Sequence, residues 1–230
     1  MLPLISALAD DAQVLAPDMP GYGLSNGLPG ETCIADIAAM LAIWLEQLHI
    51  RPSIIFGVHT GALVALELAP LIEPARIVFD GLPLFDSDER ADLAAHYFPD
   101  FAPQADGSHL QRLWQRSYDQ FRFFPWYAQD RPLLGREIPD PAIVQSIIDD
   151  VLLSAGQCWK GYRAALAYPH AATRIAKVRA ATTLLYRAHD PLHDHRHRLP
   201  TLPSRFEVTT EGDPLQHLQR AIGSLDPAQG

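Results

Sequence analysis

A chain of 230 residues, 48% hydrophobic and 20% charged, is long enough for one substantial core with a subdomain, and its composition is that of a soluble globular protein. A net charge of −9 excludes nonspecific nucleic-acid binding, which needs a basic surface, and disfavours an anionic membrane as partner. Two distant cysteines, Cys33 and Cys158, make no disulfide framework and fit free thiols in a reducing cytoplasm, which is the location expected.

The N-terminal MLPLISALADD lacks a basic leader, and its apolar stretch is too short for a signal peptide, so it predicts an amphipathic helix. No apolar run approaches the ~18 residues of a membrane span. The first predicted strand, Ala12–Asp18, ends in the Gly- and Pro-rich MPGYGLSNG. Cys33–Ile50 predicts a helix, because Ile37, Leu41, Trp44, Leu45 and Leu48 recur on one face. SIIFGV, Ser53–Val58, predicts a second strand whose near-continuous apolar run suits burial on both faces of a parallel sheet. ALVALELAPLI predicts a helix stopped near Pro74. Ala75–Gly81, Ala181–Asp190 and Ser204–Thr210 predict three more strands, and a last helix runs from about Leu215 to Leu225.

Strands alternating with helices indicate a parallel α/β sheet. Phe85 to His170 breaks that rhythm with two long helical, aromatic-rich stretches and no strand signal. It predicts a helical cap over residues 85–172, inserted into a core formed by 1–84 and 173–230.

Four segments carry turn chemistry, in this order: APDMPGYGLSNG, FGVHTG, RIVFDGLPLF and TTLLYRAHDPL. Together they resemble the α/β-hydrolase superfamily over nearly the whole chain. The first is similar to its D-x-x-G-x-G-x-S turn, through Asp18, Gly21, Gly23 and Ser25. The second is similar to its nucleophile elbow, G-x-S-x-G, but carries His59 where the serine stands. The third resembles the strand leading into the cap, and the fourth ends at the triad acid, here Asp190. An elbow with histidine also resembles a subgroup of bacterial hydrolase-like proteins. The resemblance implies a mostly parallel hydrolase sheet, about five strands of which are present, and a small-molecule substrate with no cofactor.

The resemblance also implies about three strands before Ala12, one of them lying between the Ala12–Asp18 and Ser53–Val58 strands. Two expectations follow: an N-terminus truncated at Met1, or direct pairing of those two strands, since an unpaired strand leaves ladder groups without partners. In the loop after the last strand, TTEGDPLQHL, Asp213 stands near the position of the family's histidine, and His217 follows one helical turn later as the candidate triad histidine.

At an elbow, the flanking Gly57 and Gly61 let strand and helix approach, and the Thr60 N–H would donate to an oxyanion at the helix N-terminus. A histidine there can act as general base or as an atypical, transiently acylated nucleophile, with Asp190 orienting it. The alternative is a polar residue lining a pocket that binds a small molecule without turnover. Trp114, Phe124, Trp126 and Tyr162 are candidate pocket residues, though aromatics at helical spacing equally build a subdomain core. Arg116 and Arg122 lie among them, each expected at the surface, with contact to a substrate carboxylate as the other option. AHDPLHDHRH is rich in potential ligands, but without a defined metal spacing it reads as a polar loop, and no metal site is assigned. A homodimer covering the open sheet edge is a further expectation.

Overall fold

The computed structural model describes residues 2–27, 29–98, 101–135, 138–154 and 156–225. The chain runs α1 (Leu2–Leu8), α2 (Ile34–Gln47), β1 (Ile54–Val58), α3 (Thr60–Ile72) and β2 (Arg76–Asp80). Helices α4 (Ser87–His96), α5 (Ser108–Asp119), α6 (Pro141–Leu153), α7 (Cys158–Ala167) and α8 (Ala171–Ile175) then intervene. Strand β3 (Ala181–Leu185), a 3-10 helix (His193–Arg198), β4 (Phe206–Thr209) and α9 (Pro214–Gly223) complete it.

The sheet has four parallel strands in the order β1-β2-β3-β4. In β2, Ile77 and Phe79 join the cluster formed with α2, α3 and α8, whereas Val78 joins the cluster formed with Leu8 of α1 and Leu218 of α9. Alternate side chains thus enter helical layers on opposite faces, which is why this strand is apolar almost throughout. Helix α3 is sealed similarly: every residue from Ala62 to Ala69 is buried. The Asp36 carboxylate accepts the Cys33 N–H at 2.8 Å and fixes the start of α2.

Ala12–Asp18 is not a strand. Val14, like Ile54 and Phe56, packs against the cluster of Leu8, Val78 and Leu218, but β1 takes its ladder bonds from β2, and direct pairing, one of the two alternatives, is not formed among the described residues. Apolar alternation reports burial of a face, whereas a strand also needs a neighbour for its N–H and C=O groups. The sheet therefore has four strands where about five were expected. The second long helical stretch of the insertion is divided into α6 and α7, with Gly156 at φ +78° between them.

The register brings Val58, Asp80, Leu185 and Thr209 level at the C-terminal edge of the sheet. His59, Gly81 and the segment after β3 consequently emerge side by side there.

Candidate functional site

His59 occupies the sharp turn between β1 and α3 with φ +47° and ψ −108°, a conformation unfavourable for a residue bearing a Cβ. Its N–H donates to the Asp80 carbonyl at 3.1 Å, continuing the sheet ladder into the turn. A Cβ on Gly57 would lie 2.4 Å from the Gly61 carbonyl oxygen, so glycine is what lets strand and helix approach. Gly61 does not share this requirement, because a Cβ there meets nothing within 4 Å.

Asp190 ends the turn after β3 and comes to His59 from 131 residues away. His59 Nε2 lies 2.8 Å from Asp190 Oδ2 and 3.1 Å from Oδ1. The carboxylate is buried and accepts a further bond from the Leu192 N–H at 2.8 Å, while the imidazole is 37% exposed. A carboxylate only accepts, so the neutral imidazole carries its proton on Nε2 and leaves the Nδ1 lone pair available. Gly81 closes the other side: at φ +69°, a Cβ there would lie 2.6 Å from His59 Cδ2 and 3.0 Å from Asp190 Oδ1.

Behind this pair lies an ion pair that sequence reading missed. Arg187 grips the buried Asp80 carboxylate through Nε at 3.0 Å and Nη2 at 2.8 Å, and Nη2 is 3.7 Å from Asp190 Oδ2. Burial pushes the Asp80 carboxyl above its ordinary range, and Arg187 opposes that shift. The clue was an aspartate ending the apolar strand RIVFD, a position where an unpaired charge is costly.

Thr60 is the first residue of α3, at the helix end whose N–H groups lack intrahelical acceptors. His217 is buried on α9, with Nε2 2.9 Å from the Glu211 carbonyl oxygen. Asp213 caps that helix by accepting the Gln216 N–H at 3.0 Å. The C-terminal loop thus turns both residues toward its own backbone, whereas the β1–α3 turn and the turn after β3 bring His59 and Asp190 together.

The aromatic residues divide between two clusters. Trp114 packs with Leu113, Val144 and Ile148 where α5 meets α6. Phe124 and Trp126 pack around Leu93, Tyr97 and Leu166. Tyr162 lies between them and the loop after Asp18, with its ring 5.8 Å from Trp159 and 6.0 Å from Tyr22. Arg122 is partly exposed as expected, but Arg116 is only 3% exposed, because it falls on the inward stripe of α5 with Leu113 and Ser117.

In the His-rich segment, His193 Nδ1 lies 2.9 Å from the Tyr186 carbonyl oxygen, and His195 Nδ1 accepts the Leu84 N–H at 2.8 Å. Burial lowers the His195 pKa to about 4, in keeping with a neutral ring that accepts a bond. Among the described residues, no three His, Cys, Asp or Glu side chains form a group that could hold a metal ion. No helix among them is long and apolar enough to cross a membrane.

A family model described as the alpha/beta hydrolase fold matches residues 2–200. No curated protein is matched by the sequence. Among solved structures, an esterase from Exiguobacterium antarcticum is similar with a TM-score of 0.64 at 13% identity, covering 90% of this chain and 80% of its own. A thermophilic esterase from Thermogutta terrifontis gives 0.59 at 15% identity, with 96% and 80% covered. A bromoperoxidase from Bacillus anthracis gives 0.60 at 16% identity, with 95% and 81% covered. At these identities the likeness is one of fold.

Proposed function

The chain belongs to the α/β-hydrolase fold family, and from that premise we propose that it is a hydrolase-like enzyme acting on a small, apolar ester or related carbonyl compound. The observation that carries this reading is the 2.8 Å bond from His59 Nε2 to the buried Asp190 carboxylate, made at the apex of the elbow. Asp190 fixes the tautomer, and His59 Nδ1 is the base. It removes a proton from water as the water oxygen adds to the substrate carbonyl carbon. The Thr60 N–H, at the positive end of α3, donates to the oxygen that gains charge. The imidazolium returns the proton to the departing alkoxide as the C–O bond breaks, which yields acid and alcohol and regenerates neutral His59. The helical insertion, residues 85–172, serves as a cap that supplies the apolar walls, Tyr162 among them.

Activity on p-nitrophenyl acetate and butyrate, compared between wild type and His59→Ala, tests the reading. Loss of 100-fold or more is the order expected for removal of a general base. Equal turnover by both proteins would refute it. The elbow's lack of serine favours one other reading, a binding protein on the same scaffold. Inertness of the wild type toward the esters, with a ligand retained unaltered, would establish that reading instead.

A further inference from the structure

We propose that Arg116 anchors a buried site in the helical insertion for a carboxylate borne on an aromatic or apolar body. Calling that ligand a substrate rests on the preceding reading, whereas the binding itself does not.

Arg116 is 3% exposed and among the described residues makes one hydrogen bond, from Nη1 to Gln120 Oε1 at 2.8 Å. Nε and Nη2 are buried with no acceptor, and no acidic group pairs with Arg116 among the described residues. Burial of a cation is among the more unfavourable events in folding unless an anion meets it. The two free donors form one edge of the planar fork. Elsewhere in this chain Arg187 uses that same edge, Nε and Nη2, to hold the Asp80 carboxylate at 3.0 and 2.8 Å. The chain thus displays both the fork and the kind of partner it fits.

The surroundings define the body of the ligand. Aromatic rings cover the guanidinium: Tyr97 lies 5.2 Å and Trp159 5.0 Å from its central carbon, measured to the ring centroids. Such contacts stabilise the charge but leave the in-plane N–H groups unsatisfied. The Arg116 charge also opposes the upward shifts that burial imposes on Tyr97, Tyr162 and Cys158, so these groups share its neighbourhood. Two more buried hydroxyls, Ser117 Oγ on the same helix and Tyr22 Oη against Tyr162 and Gly161, have no hydrogen-bond partner among the described residues. One bidentate cation within aromatic walls matches a monoanionic, planar carboxylate better than a phosphate, which calls for more charge and more donors. Helix α7, which carries Trp159 and Tyr162, packs on α3, the helix that begins beside His59.

The test is calorimetric titration of the full chain with benzoate, its neutral counterpart benzamide, and inorganic phosphate. Benzoate is expected to bind, with affinity reduced at least tenfold in Arg116→Met. Arg116→Met is expected to melt no lower than wild type, because it replaces an unpaired buried charge by an apolar chain of similar length. If it nonetheless fails to fold, Arg116→Lys, which keeps the charge and loses the fork, is expected to weaken benzoate several-fold. His59→Ala is expected to keep the wild-type benzoate affinity, so a failure of the ester assay leaves this result intact. Absence of benzoate binding by wild type, equal affinity in the Arg116 variants, or tighter binding of benzamide or phosphate than of benzoate would overturn the proposal.

Discussion

Gly81→Ala tests whether the His59–Asp190 geometry is held by close backbone packing. A Cβ at Gly81 would stand 2.6 Å from His59 Cδ2 and 2.8 Å from Nε2. Ordinary contacts between such atoms lie at about 3.5–4.0 Å, so the imidazole must withdraw by about 1 Å. That withdrawal stretches the 2.8 Å bond to Asp190 beyond the roughly 3.5 Å at which a hydrogen bond still counts. Two costs add. An alanine held at the φ of +69° found here costs about 1–2 kcal/mol. Leaving the buried Asp190 carboxylate short of one donor costs about 1–3 kcal/mol. We expect a loss of about 2–5 kcal/mol in urea unfolding, together with disappearance of the hydrogen-bonded Nε2 proton of His59 from the NMR spectrum. Gly61→Ala is the control, since a Cβ there meets nothing within 4 Å. It should be neutral or stabilising by about 0.5 kcal/mol. A Gly81→Ala protein as stable as Gly61→Ala, with the bonded proton intact, would refute the reasoning.

Arg187→Met should destabilise the fold by about 1–3 kcal/mol near neutral pH, a range lowered because Arg187 is partly exposed. Asp80, whose folded-state pKa is already raised by burial, contributes stability that is present below its ordinary range and lost as pH rises through the folded value, so the penalty should shrink on acidification. Adding Asp80→Asn should recover part of the loss, and a double variant no more stable than Arg187→Met would contradict the pairing. His195 has its pKa lowered from 6.5 to about 4. The unfolded state therefore binds the extra proton between those values, and stability should rise with pH across that window, by roughly 3 kcal/mol from this group alone. His195→Gln should flatten that part of the stability–pH curve, and an unchanged slope would show that another group sets it.

Much of the fold was legible locally. Short apolar runs and a period of 3.6 located the four strands and most helices, because those patterns express burial of two faces or of one. The break between α6 and α7 was not resolved, although Gly156 interrupts the stretch. Arg116 was expected outside on the strength of its charge, yet its place three residues after Leu113, with Ser117 beside it, puts it on the inward stripe of α5. Residue type outweighed spacing in that expectation, and spacing was the better guide.

The sequence by itself determined the order of the four strands, the sharp turn at GVHTG and the aspartate closing the β3 segment. Each is written within a few neighbouring residues, as backbone freedom, burial pattern or chemical type. Only the tertiary structure decided which groups meet. The parallel register levels the strand ends and brings His59, Gly81 and Asp190 together across 131 residues of chain. It couples Asp80 to Arg187, leaves Ala12–Asp18 without a ladder partner among the described residues, and turns His217 to the Glu211 carbonyl. A hydrogen bond or ion pair depends on separations of a few ångströms between distant segments, and no local pattern encodes that distance.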